Sequence, residues 1–314
     1  MNAAGLLVAH GIVLGVAGPP VLARLTHGGH APRSGIAAWL VAIVAFLVSW
    51  LAVGVLVAGD VLRHWHQTRS LVASCVELLC DLAAGRAGGI AQVTVLAAVA
   101  AAAAGVVFSG ARLTRTIVRL RAKAHRHSEA IRLVGQPTAD ADVYVMQTPE
   151  RAAYCVSGRP ATIVVTSAAV AALGERELAA VIAHERAHVA GRHLAIVTAM
   201  RGVALILPRV RLITRGATEV ARLLEMCADD AAAARYGRRA LLDGLMALVG
   251  AAPASALGAA DVAVLHRAER LACPATQRVR IGTQAALGSA STLIAVGPLA
   301  VAALCASGVW MCAL

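Results

Sequence analysis

Two histidines and a glutamate stand in the pattern His-Glu-x-x-His within the stretch VIAHERAHVAGRH, residues 181–193. His184 and His188 are one helical turn apart, so in a helix both imidazoles leave the same face and can bind one metal ion. Glu185 directly follows the first histidine, where its carboxylate can accept a proton from a water that the metal activates. The pattern therefore predicts a Zn²⁺ site that hydrolyses peptide bonds.

A catalytic zinc site needs a third protein ligand. His193 is one residue short of the third histidine in a His-Glu-x-x-His-x-x-Gly-x-x-His pattern, because Leu194 occupies that place, so we do not expect it to bind metal. Glu225, in LLEMCADD, is the better candidate, since its helix could fold back against the first. Asp229 lies one turn further on the same face and could accept a hydrogen bond from a ligand histidine, with Asp230 as the alternative.

The elements that must position these residues follow from the local sequence pattern. Apolar residues recur at helical spacing through GERELAAVIAHERAHVAG, which predicts that the motif lies in a helix. Glycine or proline ends two further predicted helices, 194–208 and 217–237. Short runs rich in β-branched and aromatic residues predict a small antiparallel sheet at 142–146, 152–156 and 162–166. The edge of the last of these strands, in ATIVVT, could hold an extended peptide near the metal.

The composition indicates that part of the chain lies in a bilayer. Of 314 residues, 59% are hydrophobic and 15% are charged. Four apolar stretches are long enough to cross roughly 30 Å of hydrocarbon: Ala3–Ala23, Ile36–Val57, Ile90–Phe108 and Ala285–Met311. No Lys or Arg precedes the first stretch, so we expect a retained span and no signal peptide. The third is rich in alanine and could instead be a buried helix of a soluble domain.

The distribution of arginine predicts the orientation, because Lys and Arg are retained on the cytoplasmic side. The connection after the first span carries Arg24 and Arg33 with no acid, whereas residues 60–89 are neutral overall. The segment 111–288 carries 24 basic and 14 acidic residues, a net of 24 − 14 = +10. We expect a multi-pass protein of a bacterial-type plasma (inner) membrane with its amino terminus outside. Its basic stripe after the third span is typical of contact with anionic lipid and not of direct nucleic-acid binding.

These features together resemble the BlaR/MecR-type antirepressor membrane zinc metallopeptidase family. ELAAVIAHERAHVAGRHL, a hydrophobic stretch ending at Pro208, and EMCADD follow one another as in that family, whose cytoplasmic domain lies between the third and fourth membrane helices. The preceding AAYCVSGRPATIVVTSAAVAAL is similar to its hairpin before the metal helix. HtpX-type membrane proteases share the zinc pattern and the Glu-x-x-Ala-Asp form.

The resemblance implies a mostly α fold with four transmembrane helices and a cytoplasmic α+β gluzincin-like zinc peptidase domain. Its expected division is three spans in 1–110, the peptidase domain in 111–284 and the fourth span in 285–314. The implied site comprises the Zn²⁺ ligands His184, His188 and Glu225, the general base Glu185, and Asp229 as support for a ligand histidine. Since the chain ends at Leu314, the extracellular penicillin-binding sensor domain is expected to be absent.

The implied activity is signal-responsive cleavage of a cytoplasmic transcriptional repressor, often of BlaI type, so the expected partners are this protein substrate and the lipid bilayer. Two alternatives stay open: a quality-control protease of HtpX type and a non-catalytic membrane signalling protein. Donors that stabilise the oxyanion are also required, and Arg270 and His266 in VLHRAERL are candidates. The signal, the scissile bond and the oligomeric state are not predicted.

Overall fold

The computed structural model describes residues 3–63, 89–249 and 259–306. Most of the connection expected outside the membrane, at 60–89, and the end of the fourth expected span lie outside the described residues. In chain order, the described elements are α1 (Ala3–Thr26), α2 (Pro32–Arg63), α3 (Gly89–Val134), β1 (Gln136–Pro137), β2 (Val143–Met146), β3 (Ala153–Val156), β4 (Thr162–Thr166), α4 (Ser167–Ala172), α5 (Glu175–Ala190), α6 (His193–Ile206), α7 (Arg211–Tyr236), α8 (Arg238–Val249), α9 (Ala259–Ala272) and α10 (Gln277–Ala306).

The four described strands form one small mixed sheet in the order β1, β2, β4, β3. β3 and β4 form an antiparallel hairpin, and β1 pairs antiparallel with β2. β2 and β4, however, run parallel, with Val143 opposite Ile163. After β2 the chain forms β3 at the far edge of the sheet and then returns to form β4 between β2 and β3. The prediction of an antiparallel sheet is therefore wrong for the pair of β2 and β4.

Strand β4 lies at the centre of the sheet, and all five of its residues are buried. The expectation that its edge could hold a peptide is wrong for this reason: both sides of its backbone are already paired. Its uninterrupted β-branched run, TIVVT, is typical of a strand covered on both faces. The edge strand that packs against α5 is β3.

Helix α3 is continuous over 46 residues, so the basic stripe extends the apolar helix before it. Its end is tied to the sheet by polar contacts: the Ser128 and Thr162 hydroxyls lie 2.8 Å apart. The Arg132 guanidinium donates to Thr162 Oγ1 at 3.1 Å and also to the carbonyl of Pro160. The sheet is thus fixed to the far end of α3.

Helix α7 packs against α1 and α2, and α10 packs against the same two helices. Apolar residues of α7 recur every three or four positions and enter one core with the side chains of α2, including Trp39 and Ile43. Arg222 adds a polar link, because its Nη2 donates to the carbonyl oxygen of Thr26 at 2.8 Å. The buried α7 members of this core are Leu212, Ile213, Ala217, Val220, Leu223, Leu224 and Met226.

Two helical segments of the described chain, Ala4–Thr26 and Pro32–Gly59, are long and apolar enough to cross a membrane. A third is possible by composition if Glu175–Ala190 and His193–Ile206, bent by 57°, count as one broken span. The first half of that pair carries Glu185 and Arg186 as well as charges in its first turn, and charges are costly inside a bilayer. Four spans are therefore not confirmed and stay a prediction.

The shared core between α7 and the two apolar helices predicts that a cavity within it destabilises the whole chain. Leu223 is completely buried there, so Leu223→Ala should lower the free energy of unfolding by about 2–5 kcal/mol. Thermal unfolding in detergent would show this as a lower Tm. Leu205→Ala, at a leucine that is 81% exposed, is the matched control and should leave Tm nearly unchanged. Equal Tm values for both variants would contradict the packing described.

Candidate metal centre

Helix α5 brings the two histidines of the motif to one point. The helix begins after Gly174, whose backbone N–H donates to the Glu177 carboxylate at 3.0 Å, and Gly191 ends it. Helical spacing then places His184 and His188 on one face, with their Nε2 atoms 3.1 Å apart. His184 is buried and His188 is partly buried, so both nitrogen atoms are held in a defined geometry.

Helix α7 supplies the carboxylate that completes the cluster. Glu225 Oε2 lies 3.6 Å from His184 Nε2, and Glu225 Oε1 lies 3.5 Å from His188 Nε2. Donor atoms that share one tetrahedral zinc ion are separated by about 3.4 Å, given bond lengths near 2.0–2.1 Å. The two histidines and Glu225 thus fit a three-ligand metal site, and their ligand atoms all lie within 4.8 Å of one another.

Asp229 lies beneath His184, one turn beyond Glu225 on α7, and is fully buried. Its Oδ1 is 3.1 Å from His184 Nδ1, although the ring N–H direction is off the line to that oxygen. A carboxylate at this nitrogen orients the imidazole so that Nε2 faces the metal. Asp230, the alternative left open by the sequence, points away and pairs with Arg270 at 2.7 Å.

Arg267 of α9 is a site residue that the sequence reasoning missed. Its guanidinium donates to both carboxylate oxygens of Asp229, at 2.6 and 2.8 Å, and its Nη1 lies 3.1 Å from Glu225 Oε2. This bidentate pair neutralises one buried charge and fixes the two carboxylates relative to each other. The arginine therefore acts on the ligand set through Asp229 and Glu225.

The structure does not bring the two proposed oxyanion donors, Arg270 and His266, to the metal centre. Arg270 pairs with Asp230 and donates to the carbonyl of Gly29 at 2.9 Å. The ring of His266 packs edge-on against His27, with centroids 5.9 Å apart. The arginine of VLHRAERL that reaches the site is Arg267, one turn before Arg270. The sequence alone did not reveal which face of α9 turns toward the metal centre.

His193 contacts the other nitrogen of a ligand histidine. Its Nδ1 lies 2.9 Å from His188 Nδ1, so it does not occupy a ligand position, as expected from its register. Arg192 has a left-handed backbone, with φ of 51°, and this break turns α6 so that His193 folds back over α5. A Cβ at Gly191 would collide with the His193 ring, so a larger residue there would displace that ring.

The metal site determines which ring of the pair His188 and His193 donates the hydrogen bond and which accepts it. If His188 binds metal through Nε2, its Nδ1 carries the proton and donates to His193 Nδ1. Burial and the neighbouring His188 lower the pKa of His193 to about 4, so it is neutral at pH 7 and can accept. His193 thus orients His188 as Asp229 orients His184.

Carboxylates set the charge of the centre. Burial opposes protonation of His184, but Asp229 and Glu225 outweigh it and raise the pKa of His184 to about 9. Burial also opposes ionisation of Glu225, yet hydrogen bonds from both histidines hold its pKa below the usual range. The same negative charges that retain a proton on His184 would stabilise a divalent cation in its place.

Glu185 lies beside the cluster but contacts the sheet. Burial raises the pKa of its carboxyl group, and the neighbouring histidines partly offset this. The Cys155 thiol of β3 hydrogen-bonds to the Glu185 carboxylate, and burial together with Glu185 raises the pKa of Cys155 to about 12. The thiol is therefore protonated and donates to the carboxylate, which links the edge strand to the expected general base.

Comparison with known families agrees with this geometry. A family model described as Peptidase family M48 matches residues 118–226, about a third of the chain, including the two histidines, Glu185 and Glu225. The match supports the M48 metallopeptidase family, which is metal-dependent and typically uses zinc. Together with the two apolar N-terminal helices, the match suggests a membrane-associated metallopeptidase. The match does not single out the BlaR/MecR or HtpX type, and no curated protein or solved structure matches significantly.

Contact between His193 and His188 predicts an effect on metal affinity. His193→Ala should weaken zinc binding about 10–100-fold, because His188 loses the partner that fixes its ring and tautomer. Competition with a chromogenic chelator would measure this. His127→Ala, at an exposed histidine of α3, is the control and should bind zinc like the wild type. Identical zinc affinities for the two variants would show that His193 does not orient His188.

Proposed function

We propose that this chain is an integral membrane, zinc-dependent endopeptidase. The observation that carries the proposal is the convergence of His184, His188 and Glu225 on one point, next to Glu185. Two nitrogen atoms and one carboxylate leave a fourth position free, as in catalytic zinc sites. A purely structural site would have no use for a carboxylate beside its first histidine, which argues against the signalling protein without catalysis.

The residues of the chain divide the chemistry of peptide hydrolysis among them. Zinc, when bound, would supply the Lewis acidity that activates water and polarises the scissile carbonyl. The Glu185 carboxylate would accept a proton from the attacking water and return it to the leaving amine nitrogen. Its raised pKa suits both steps, because a carboxyl group with a higher pKa retains the proton between them.

Strand β3 is the better candidate for holding the substrate. It forms the edge of the sheet among the described strands, packs against α5 and carries Cys155 next to Glu185. An extended peptide could pair with the free backbone groups of this edge, which would lay its scissile bond beside the metal centre. Tyr154, 39% exposed on the same strand, is available to contact a substrate side chain.

We propose two alternative substrate classes. Resemblance to the BlaR/MecR type supports one cytoplasmic transcriptional repressor of BlaI type, cleaved in response to a signal. Resemblance to HtpX-type proteases, through the Glu-x-x-Ala-Asp form at Glu225 and Asp229, supports degradation of many damaged membrane proteins. In both, the basic segment 111–288 would lie in the cytoplasm with the amino terminus of the chain outside.

Replacement of the proposed base tests the activity directly. Glu185→Gln should lower cleavage at least about 10²-fold, because glutamine cannot accept the proton from the attacking water. Zinc content should stay at the wild-type level, since Glu185 is not a ligand. The measurement is a mass-spectrometric profile of new protein amino termini in the native cells that carry either chain.

The control for this experiment is Glu175→Gln, which changes an exposed carboxylate in the first turn of the same helix. Cleavage products present with wild type and with Glu175→Gln but missing with Glu185→Gln support a peptidase. One cleaved repressor indicates the regulatory function, whereas many membrane-protein fragments indicate quality control. The same profile for all three chains would contradict peptidase activity.

A further inference from the structure

A basic cleft lies on the side of α7 and α9 that faces away from the metal centre. It has two adjoining lobes, of about 260 and 340 Å³, which share His30, Asp230 and Arg280. A water molecule takes up roughly 30 Å³ of liquid volume, so each lobe has room for a group much larger than water. The further charged or titratable residues that line it are Arg33, Arg238, His266, Glu269, Arg270, Cys227 and Cys273.

The cleft carries an excess of unpaired positive charge. Asp230 is neutralised by Arg270, whose Nη2 contacts both of its carboxylate oxygens at 2.7 Å. Arg33, Arg238 and Arg280 form no ion pair with any residue that the structure describes. Glu269, which is exposed, is the one remaining acid among the residues that line the two lobes. Such a lining favours an anion with several acceptor oxygens.

Two helix amino termini add to this charge. α2 begins at Pro32 and α10 at Gln277, and both helices contribute residues of their first turns to the lobes, Arg33 and Arg280 among them. Unpaired backbone N–H groups and the positive end of the helix dipole favour anions at such ends. The arginines and the helix ends thus act in the same direction.

The position of the cleft suggests where the anion comes from. The connection 27–31 joins the two candidate spans Ala4–Thr26 and Pro32–Gly59, and its His30 lines both lobes. If these helices cross a bilayer, the cleft lies at the level of the lipid head groups. Arginine near this level gains free energy from anionic lipids.

We propose that this cleft binds a phosphate group, as carried by the head group of an anionic phospholipid. Arg33, Arg238 and Arg280 supply the charge and the forked donors, and Arg270 is held in place by Asp230 and Gly29. Phosphate binding here does not require the proposed peptidase activity, because none of these residues belongs to the metal centre. The cleft is nevertheless close to the metal centre along the chain, because Asp230 lies on the same helix as Asp229 and Arg270 lies on the same helix as Arg267.

Calorimetric titration of the full-length chain in non-ionic detergent tests this site. Three probes are used: a short-chain phosphatidylglycerol, the matching zwitterionic phosphatidylcholine, and inorganic phosphate. Wild type should bind phosphatidylglycerol more tightly than phosphatidylcholine. The combined variant Arg33→Gln, Arg238→Gln and Arg280→Gln should weaken this binding about tenfold or more, because three cations near the head group are lost.

The matched control is Arg159→Gln, Arg176→Gln and Arg201→Gln, which removes the same charge from exposed positions outside both the cleft and the basic stripe of α3. This control should change phosphatidylglycerol affinity by less than about twofold, since each exposed charge at a distance contributes little. Tight binding of inorganic phosphate, also lost in the cleft variant, would support the site with free phosphate as its source. Equal losses in both variants, or full binding of all anionic probes by the cleft variant, would overturn the proposal.

Discussion

Helix α7 packs in two directions at once, and the positions of the other elements depend on this packing. One side presents leucine, isoleucine and valine to α1 and α2, while the adjacent side presents Glu225 and Asp229 to α5. Small residues allow α7 and α5 to approach closely. Ala228 and Ala232 of α7 are fully buried, as is Ala180 of α5. The same helix thereby anchors the metal centre to the apolar helices.

Buried charge then determines which chemistry this packing permits. Glu225, Asp229 and Glu185 bring three carboxylates near two histidines, with Arg267 as the balancing cation. Asp229 is fully buried and the other two carboxylates are partly buried, and such groups are costly unless cations compensate them. A divalent metal between the histidines and Glu225 would supply the missing positive charge. The centre is therefore best understood as an arrangement of carboxylates around a cation. Asp229 and His193 orient the two ligand histidines through the ring nitrogen atoms that do not face the metal.

The parts predicted correctly are those governed by local spacing. His184 and His188 share a face because they are four residues apart, and the helical break at Gly191 followed from its residue type. Contacts between distant segments were harder to predict. The parallel pairing of β2 with β4 depends on a crossover that no local pattern encodes. The inward face of α9, which selects Arg267 over Arg270, depends on the packing of this helix against α8. The orienting contact of His193 depends on the left-handed backbone of Arg192.

The central claim is that His184, His188 and Glu225 bind one metal ion together. The most direct test is the zinc content of the detergent-purified chain by elemental mass spectrometry, beside Glu225→Ala prepared in the same way. The account predicts about one zinc per wild-type chain and its loss from the variant, since two histidines alone hold the metal weakly. A folded wild-type chain that takes up no zinc, or a variant that keeps full occupancy, would contradict it.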